Sequence, residues 1–188
     1  MPTTSTASTA TSRNRVGPVL HFATGCGDFT VELNAQRAPV TSRYFQALVA
    51  AGHYAGSTIY RITTPANDHR GNGGPIRIIQ GGLKVGAARS LPALPLEPTS
   101  DTGLTHRRWA FSTARFAEDR PYGAFFICME DSPCLDAGGE RNGDGRGFAV
   151  CGAVVAGFST LETIYARAEN SDFLQREIPI TAVSIHHE

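Results

Sequence analysis

The chain has no excess of either charge. In its 188 residues, 17 basic side chains balance 17 acidic ones, so neither a phosphate backbone nor an anionic membrane surface is an expected partner. No apolar run approaches the length needed to span a bilayer, and the N-terminus has neither a basic lead nor an apolar signal core, which makes the cytoplasm the expected location. Cysteine is sparse: Cys26, Cys128, Cys134 and Cys151 form no CxxC pair and no metal-ligand spacing, and they are read as reduced thiols. Internal repeats are absent. Residues 1–14 are Ser, Thr and Ala with almost no bulky apolar side chain, too little to offset the entropy of ordering. We read residues 1–17 as a disordered tail and 18–188 as one domain, long enough for a real core.

The most informative stretch is 59–82, which holds an arginine inside an apolar strand. Ile59-Tyr60-Arg61-Ile62 reads as that strand, and strict alternation would put Arg61 on the face of Ile59, with Tyr60 and Ile62 opposite. A second strand, Arg77-Ile78-Ile79-Gln80, groups Ile78 with Gln80. Residues 64–75 between them are polar and rich in Gly and Pro, hence loop, and a loop of this length is often functional.

Around this stretch the period-2 pattern dominates. Residues 19–23 and 29–33, joined by Gly25-Cys26-Gly27-Asp28, form a hairpin with Phe29, Val31 and Leu33 alternating. Pro39 opens a helix in which Tyr44, Phe45, Leu48 and Val49 recur at helical spacing before Gly52 ends it. Residues 84–101 follow neither period and read as surface winding. Strands are expected at 109–114, 124–128, 148–154 and 180–185, and a short helix at 160–167 packs Leu161, Ile164 and Tyr165. In Ala124-Phe125-Phe126-Ile127-Cys128, Phe125 and Ile127 share one face; if that pair is core, Phe126 faces outward. Many short strands and only two helices argue for a closed antiparallel barrel whose open ends the helices cover. Glu140-Arg141-Asn142-Gly143-Asp144-Gly145 imitates half of an EF-hand loop. Position twelve would be Cys151 instead of a glutamate, and the flanks read as strand, so the expectation is a solvated turn without metal.

Taken in order, Tyr60-Arg61-Ile62, Ile79-Gln80-Gly81-Gly82, Ser112-Thr113-Ala114-Arg115, Phe125-Phe126-Ile127 and Val150-Cys151-Gly152-Ala153-Val154 resemble the cyclophilin family of peptidyl-prolyl cis-trans isomerases, in its bacterial branch. The resemblance implies an all-β fold, an eight-stranded antiparallel barrel capped by two helices, with a substrate groove on the outside. It also implies an isomerase that assists protein folding by turning X–Pro bonds, without cofactor or metal. The implied partners are proline-containing peptides or unfolded clients, met as a monomer. By resemblance Arg61 eases the twisted amide, Phe126 is the floor under the proline ring and Gln80 bonds the substrate backbone.

The same resemblance places Tyr60, Ile78, Ala114, Arg115, Ala124, Cys134, Leu135 and Phe148 at substrate-binding positions. Several differ from the family's usual residue. Ile78 replaces methionine at similar volume. Tyr60 replaces a histidine, Arg77 a pocket aromatic, Ala124 a glutamine, Cys134 the rim tryptophan or phenylalanine, and Phe148 a histidine or tyrosine. Arg115 replaces a residue that contacts substrate through its backbone. These departures leave an alternative open: a cyclophilin-like module that binds peptides with little or no turnover.

Overall fold

Apolar alternation builds the first hairpin as expected. Phe22 of β1 (Val19–Thr24) lies opposite Phe29 of β2 (Gly27–Leu33), and their rings stack at 4.7 Å. The computed structural model describes residues 17–69, 72–84, 86, 91, 93–117 and 119–186, so all of the tail read at 1–17 except Gly17 lies outside the described residues. The remaining strands are β3 (Thr58–Thr63), β4 (Ile78–Gly82), β5 (Ala110–Arg115), β6 (Pro121–Cys128), β7 (Ala149–Ala156) and β8 (Phe173–His186). They join in the order β1-β2-β7-β5-β6-β4-β3-β8, and β8 pairs with β1 to close the barrel. All eight pairings are antiparallel. Among the described residues, closure leaves no edge strand open to other chains.

Two layers of apolar side chains follow from this closure. Inside the barrel, Phe22, Phe111 and Phe125 meet at 5.1 to 6.2 Å between ring centres. The helix α1 (Pro39–Ala50) plugs one opening with Phe45, whose ring is 4.9 Å from Phe111, and with Leu48 and Val49. Ala38 offers α1 no side-chain cap. Glu97 supplies one across 56 residues of sequence, its carboxylate accepting from the backbone N–H of Val40 and Thr41 at 3.0 and 2.7 Å. A one-turn helix α2 (Thr99–Thr102) follows, ended by Gly103 in the left-handed region. The expected pair of helices is therefore joined by a third, too short to show a period in sequence. The helix α3 (Phe158–Tyr165) buries Leu161 and Ile164 and starts two residues earlier than its apolar spacing suggested. Among the described residues no helix is long and apolar enough to cross a membrane.

The second layer lies outside the barrel wall. Ile78, Ala110, Ala114, Ala124, Phe126 and Val150 form a separate buried cluster, topped by Leu135. This is the outward face expected for Phe126, with Phe125 and Ile127 in the inner core.

Strict alternation fails in β3. Ile59 pairs with Gly81 while Arg61 pairs with Gln80, so Tyr60 is an extra residue in a β-bulge. Ile59 and Ile62 both point inward, and Tyr60 and Arg61 both belong to the outer surface. The expected grouping of Arg61 with Ile59 is thus overturned by one inserted residue.

The glycine pair after Gln80 has a steric reason. Gly82 has φ of 96°, and a Cβ there would sit 2.7 Å from the Gly123 carbonyl oxygen and 2.9 Å from the Tyr54 ring. Gly82→Ala should therefore cost about 2 kcal/mol or more. Urea unfolding would measure this, and an unchanged midpoint would show that the backbone relaxes freely there.

Candidate active site

The bulge in β3 delivers Arg61 to the outer wall, where two groups hold its guanidinium. Nε donates to Asp172 Oδ2 at 2.9 Å, and Nη1 donates to Gln80 Oε1 at 3.0 Å. Asp172 stands just before β8, fixed by its own carbonyl accepting from the Ile62 N–H at 2.9 Å. Its carboxylate is 7 % exposed and the arginine side chain 17 %, so this ion pair is screened little. The ring of Phe173 lies 5.5 Å from the guanidinium carbon.

Gln80 faces Arg61 from β4 with its amide fully engaged as a donor. Nε2 donates to the hydroxyls of Tyr60 at 3.0 Å and Tyr122 at 2.7 Å. Burial raises both phenols above their usual 10, so both stay protonated near neutrality.

Phe126 supplies a buried aromatic floor between two other rings. It lies parallel to His106, with centroids 5.6 Å apart, and meets Phe148 edge-on at 5.5 Å. His106 is itself buried: Nδ1 lies 2.7 Å from Asp136 Oδ1 and Nε2 3.0 Å from Ser112 Oγ. Burial pushes its imidazole below the usual 6.5, with Asp136 opposing, so the neutral ring donates from Nδ1 to the carboxylate. Ser112, His106 and Asp136 follow the order of a hydrolase triad. Ser112 is fully buried and its hydroxyl also bonds the Ala149 carbonyl at 2.8 Å, so the trio props Phe126 and offers no reachable nucleophile.

Two arginines tie the surrounding loops to this floor. Arg115 turns its side chain inward, bonding both oxygens of Asp144 at 2.6 and 2.9 Å and crossing Phe148 at 5.3 Å. Asp144, in the turn that imitated an EF-hand, is therefore committed to a guanidinium. Arg141 bonds Asp68 at 2.7 Å and the Gly74 carbonyl at 3.2 Å, fastening the 64–75 loop across the rim. A Cβ on Gly73 would come within 2.8 Å of Cys134 Cβ, so this loop packs directly against Cys134.

The result is a hollow of about 120 Å3 that adjoins a groove of about 670 Å3. Arg61, Gln80 and Phe126 line the hollow together with Ile78, Ala114, Arg115, Leu135 and Phe148. Tyr60 lines only the groove. Ala124 and Cys134 line neither: Ala124 is completely covered, opposite Gly82, and Cys134 is packed under Gly73. Arg77 lines neither the hollow nor this groove. Ile76, Ile78 and Gln80 share the outward face, so Ile76 takes the apolar position while Arg77 pairs with Glu130 at 2.9 Å elsewhere. Sequence reading also missed Tyr122, Arg141, Asp172 and His106. Tyr122 was legible only as the alternation partner of Ala124 and Phe126; the others sit in loops without period.

The chain matches the family model described as cyclophilin type peptidyl-prolyl cis-trans isomerase/CLD over residues 19–186. It is 26 % identical over 163 residues to peptidyl-prolyl cis-trans isomerase cyp18 of Streptomyces antibioticus, covering 86 % of this chain and 92 % of the relative. It is 30 % identical over 145 residues to peptidyl-prolyl cis-trans isomerase A of Dickeya dadantii, covering 76 % and 68 %. A crystal structure of a Cryptosporidium parvum cyclophilin type isomerase superposes with a TM-score of 0.69 at 23 % identity, covering 90 % of this chain and 98 % of the other. The same protein has been solved in the presence of the dipeptide Ala-Pro.

The Arg115 clamp carries a pH dependence. Its hydrogen bonds hold the Asp144 carboxyl down at about 2, from an ordinary 3.8. A depressed carboxyl stabilises the fold above its unfolded value and loses that contribution as pH falls through the folded one. The clamp should therefore be intact at pH 4 and release only near pH 2. A carboxyl-carbon NMR titration would follow it; Asp144 titrating close to 4 would mean that the pair does not form.

Proposed function

Because the chain belongs to the cyclophilin family of peptidyl-prolyl cis-trans isomerases, we propose that it turns X–Pro bonds in peptides and unfolded proteins, with Arg61 stabilising the twisted amide. The planar amide resists rotation by roughly 18–20 kcal/mol because its nitrogen lone pair is delocalised. Twisting localises that pair on nitrogen, where it accepts a hydrogen bond that the planar form cannot. A fixed guanidinium beside the proline therefore binds the twisted state better than either isomer. Asp172 and Gln80 take two of the five N–H donors of Arg61, and the other three have no partner among the described residues. The proline ring rests on Phe126, with Ile78 and Leu135 as walls. Shortening a step of tens of seconds to milliseconds takes about four decades, or ~5.5 kcal/mol.

The observation that carries this reading is that Arg61, Gln80 and Phe126, far apart in sequence, line one hollow. Nothing favours the alternative of binding without turnover. Four free thiols suit a reducing compartment such as the cytoplasm, and a closed barrel without an open edge suits a monomer.

Exchange NMR on an Ala-Pro peptide tests the proposal directly. The wild type should accelerate exchange, and Arg61→Ala should lose about 100-fold or more of that acceleration. Peptide shifts without acceleration in the wild type would make the protein a binder. The cyclic peptide cyclosporin should bind weakly, because Cys134 replaces the family's rim aromatic and sits under Gly73. A tight complex in calorimetry would contradict that.

A further inference from the structure

We propose that the Tyr122 hydroxyl is a substrate-binding group, donating its proton to a backbone carbonyl of the peptide beside the proline; this rests on the isomerase reading. A count of protons leads to it. The cluster of Gln80, Tyr60 and Tyr122 contains four hydrogens that can be donated, two on the amide nitrogen and one on each hydroxyl. The amide gives one to each tyrosine. The two hydroxyl protons remain, and neither has an acceptor among the hydrogen bonds of the described residues.

Of the two, the Tyr122 proton is the one placed to meet a peptide. Its hydroxyl accepts from Gln80 at 2.7 Å, the shorter of the two amide bonds. Tyr122 therefore accepts from Gln80 and keeps its own proton to donate elsewhere. Its position fits an outward donor, because it lines both the small hollow and the larger groove, while Tyr60 lines only the groove. The ring is held in place by Phe116, stacked on it at 4.4 Å and itself 54 % exposed.

The arrangement explains two departures from the family pattern together. Gln80, whose amide the resemblance assigns to the substrate backbone, has both N–H groups occupied, and Ala124 has no polar atom on its side chain. The donor they would have supplied is displaced outward to Tyr122. The bond accepted from Gln80, itself bonded to Arg61, also polarises the Tyr122 hydroxyl. The ligand it selects is a peptide with an unblocked carbonyl acceptor next to the proline, since a site built around one donor discriminates against a substrate that cannot accept.

The test uses the whole protein and an Ala-Pro tetrapeptide. Tyr122→Phe keeps the ring and removes the donor. Kd from NMR titration and KM should each rise about five- to tenfold, with most of the loss in KM rather than kcat. In parallel, thioamide replacement, which weakens the acceptor, is scanned over the two carbonyls flanking the X–Pro pair. At one of them it should cost the wild type a similar factor and Tyr122→Phe almost nothing. Unchanged affinity in Tyr122→Phe, or no thioamide effect on the wild type at either carbonyl, overturns the proposal, and the second measurement does not require the variant to fold. A wild type that binds the peptide without accelerating exchange defeats the isomerase reading alone, since the affinities still judge Tyr122. A wild type that does not bind the peptide defeats both.

Discussion

The site depends on one backbone irregularity and the ion pair it permits. Without the extra residue at Tyr60, the pleat of β3 would turn Arg61 into the barrel, among the phenylalanines, where a guanidinium has no partner. The bulge sends it outward to Asp172 and Gln80. In so dry a setting the pair fixes orientation more than it adds stability. The cost of desolvating two charges consumes most of their attraction, while loss of one partner strands the other. A guanidinium clamped at two nitrogens keeps its remaining donors aimed without spending side-chain entropy when a peptide arrives.

The outer apolar cluster gives that arginine something to act against. Phe126 can face outward from a barrel strand only because a second covered layer receives it, with His106 beneath and Phe148 at its edge. That layer is roofed by irregular chain, and irregular chain stays put only if its polar groups are satisfied. Arg115 and Arg141 do this for the two loops, bonding carbonyls and carboxylates. Both are nearly buried, so the charged residues nearest the hollow, apart from Arg61, act as fasteners.

Much of this was legible in the order of residues, and the failures share a cause. Phe125, Phe126 and Ile127 fell on their correct faces because β6 is regular there, and Ile78 and Gln80 were rightly grouped for the same reason. Arg61 was assigned to the wrong face because a bulge shifts the count by one, and no residue type announces it. The resemblance put Arg77 at the place of a pocket aromatic, yet its odd separation from Gln80 turns it from the face that Ile76 and Ile78 share. Ala124 and Cys134 fell at substrate positions by resemblance, but Ala124 is fully buried and Cys134 is packed against Gly73 of the 64–75 loop.

The sequence by itself determined the barrel, its inner core and the three residues that meet at the hollow. The barrel and core depend on local periodicity, and the three residues on the order of motifs that carries the family resemblance. Only the tertiary structure decided how each polar group is spent. Glu97 caps a helix 56 residues away, Asp144 binds Arg115 rather than a cation, and both N–H groups of Gln80 go to tyrosines. A hydrogen bond joins groups that are close in space, and closing a barrel makes neighbours of residues whose separation along the chain carries no trace of the meeting.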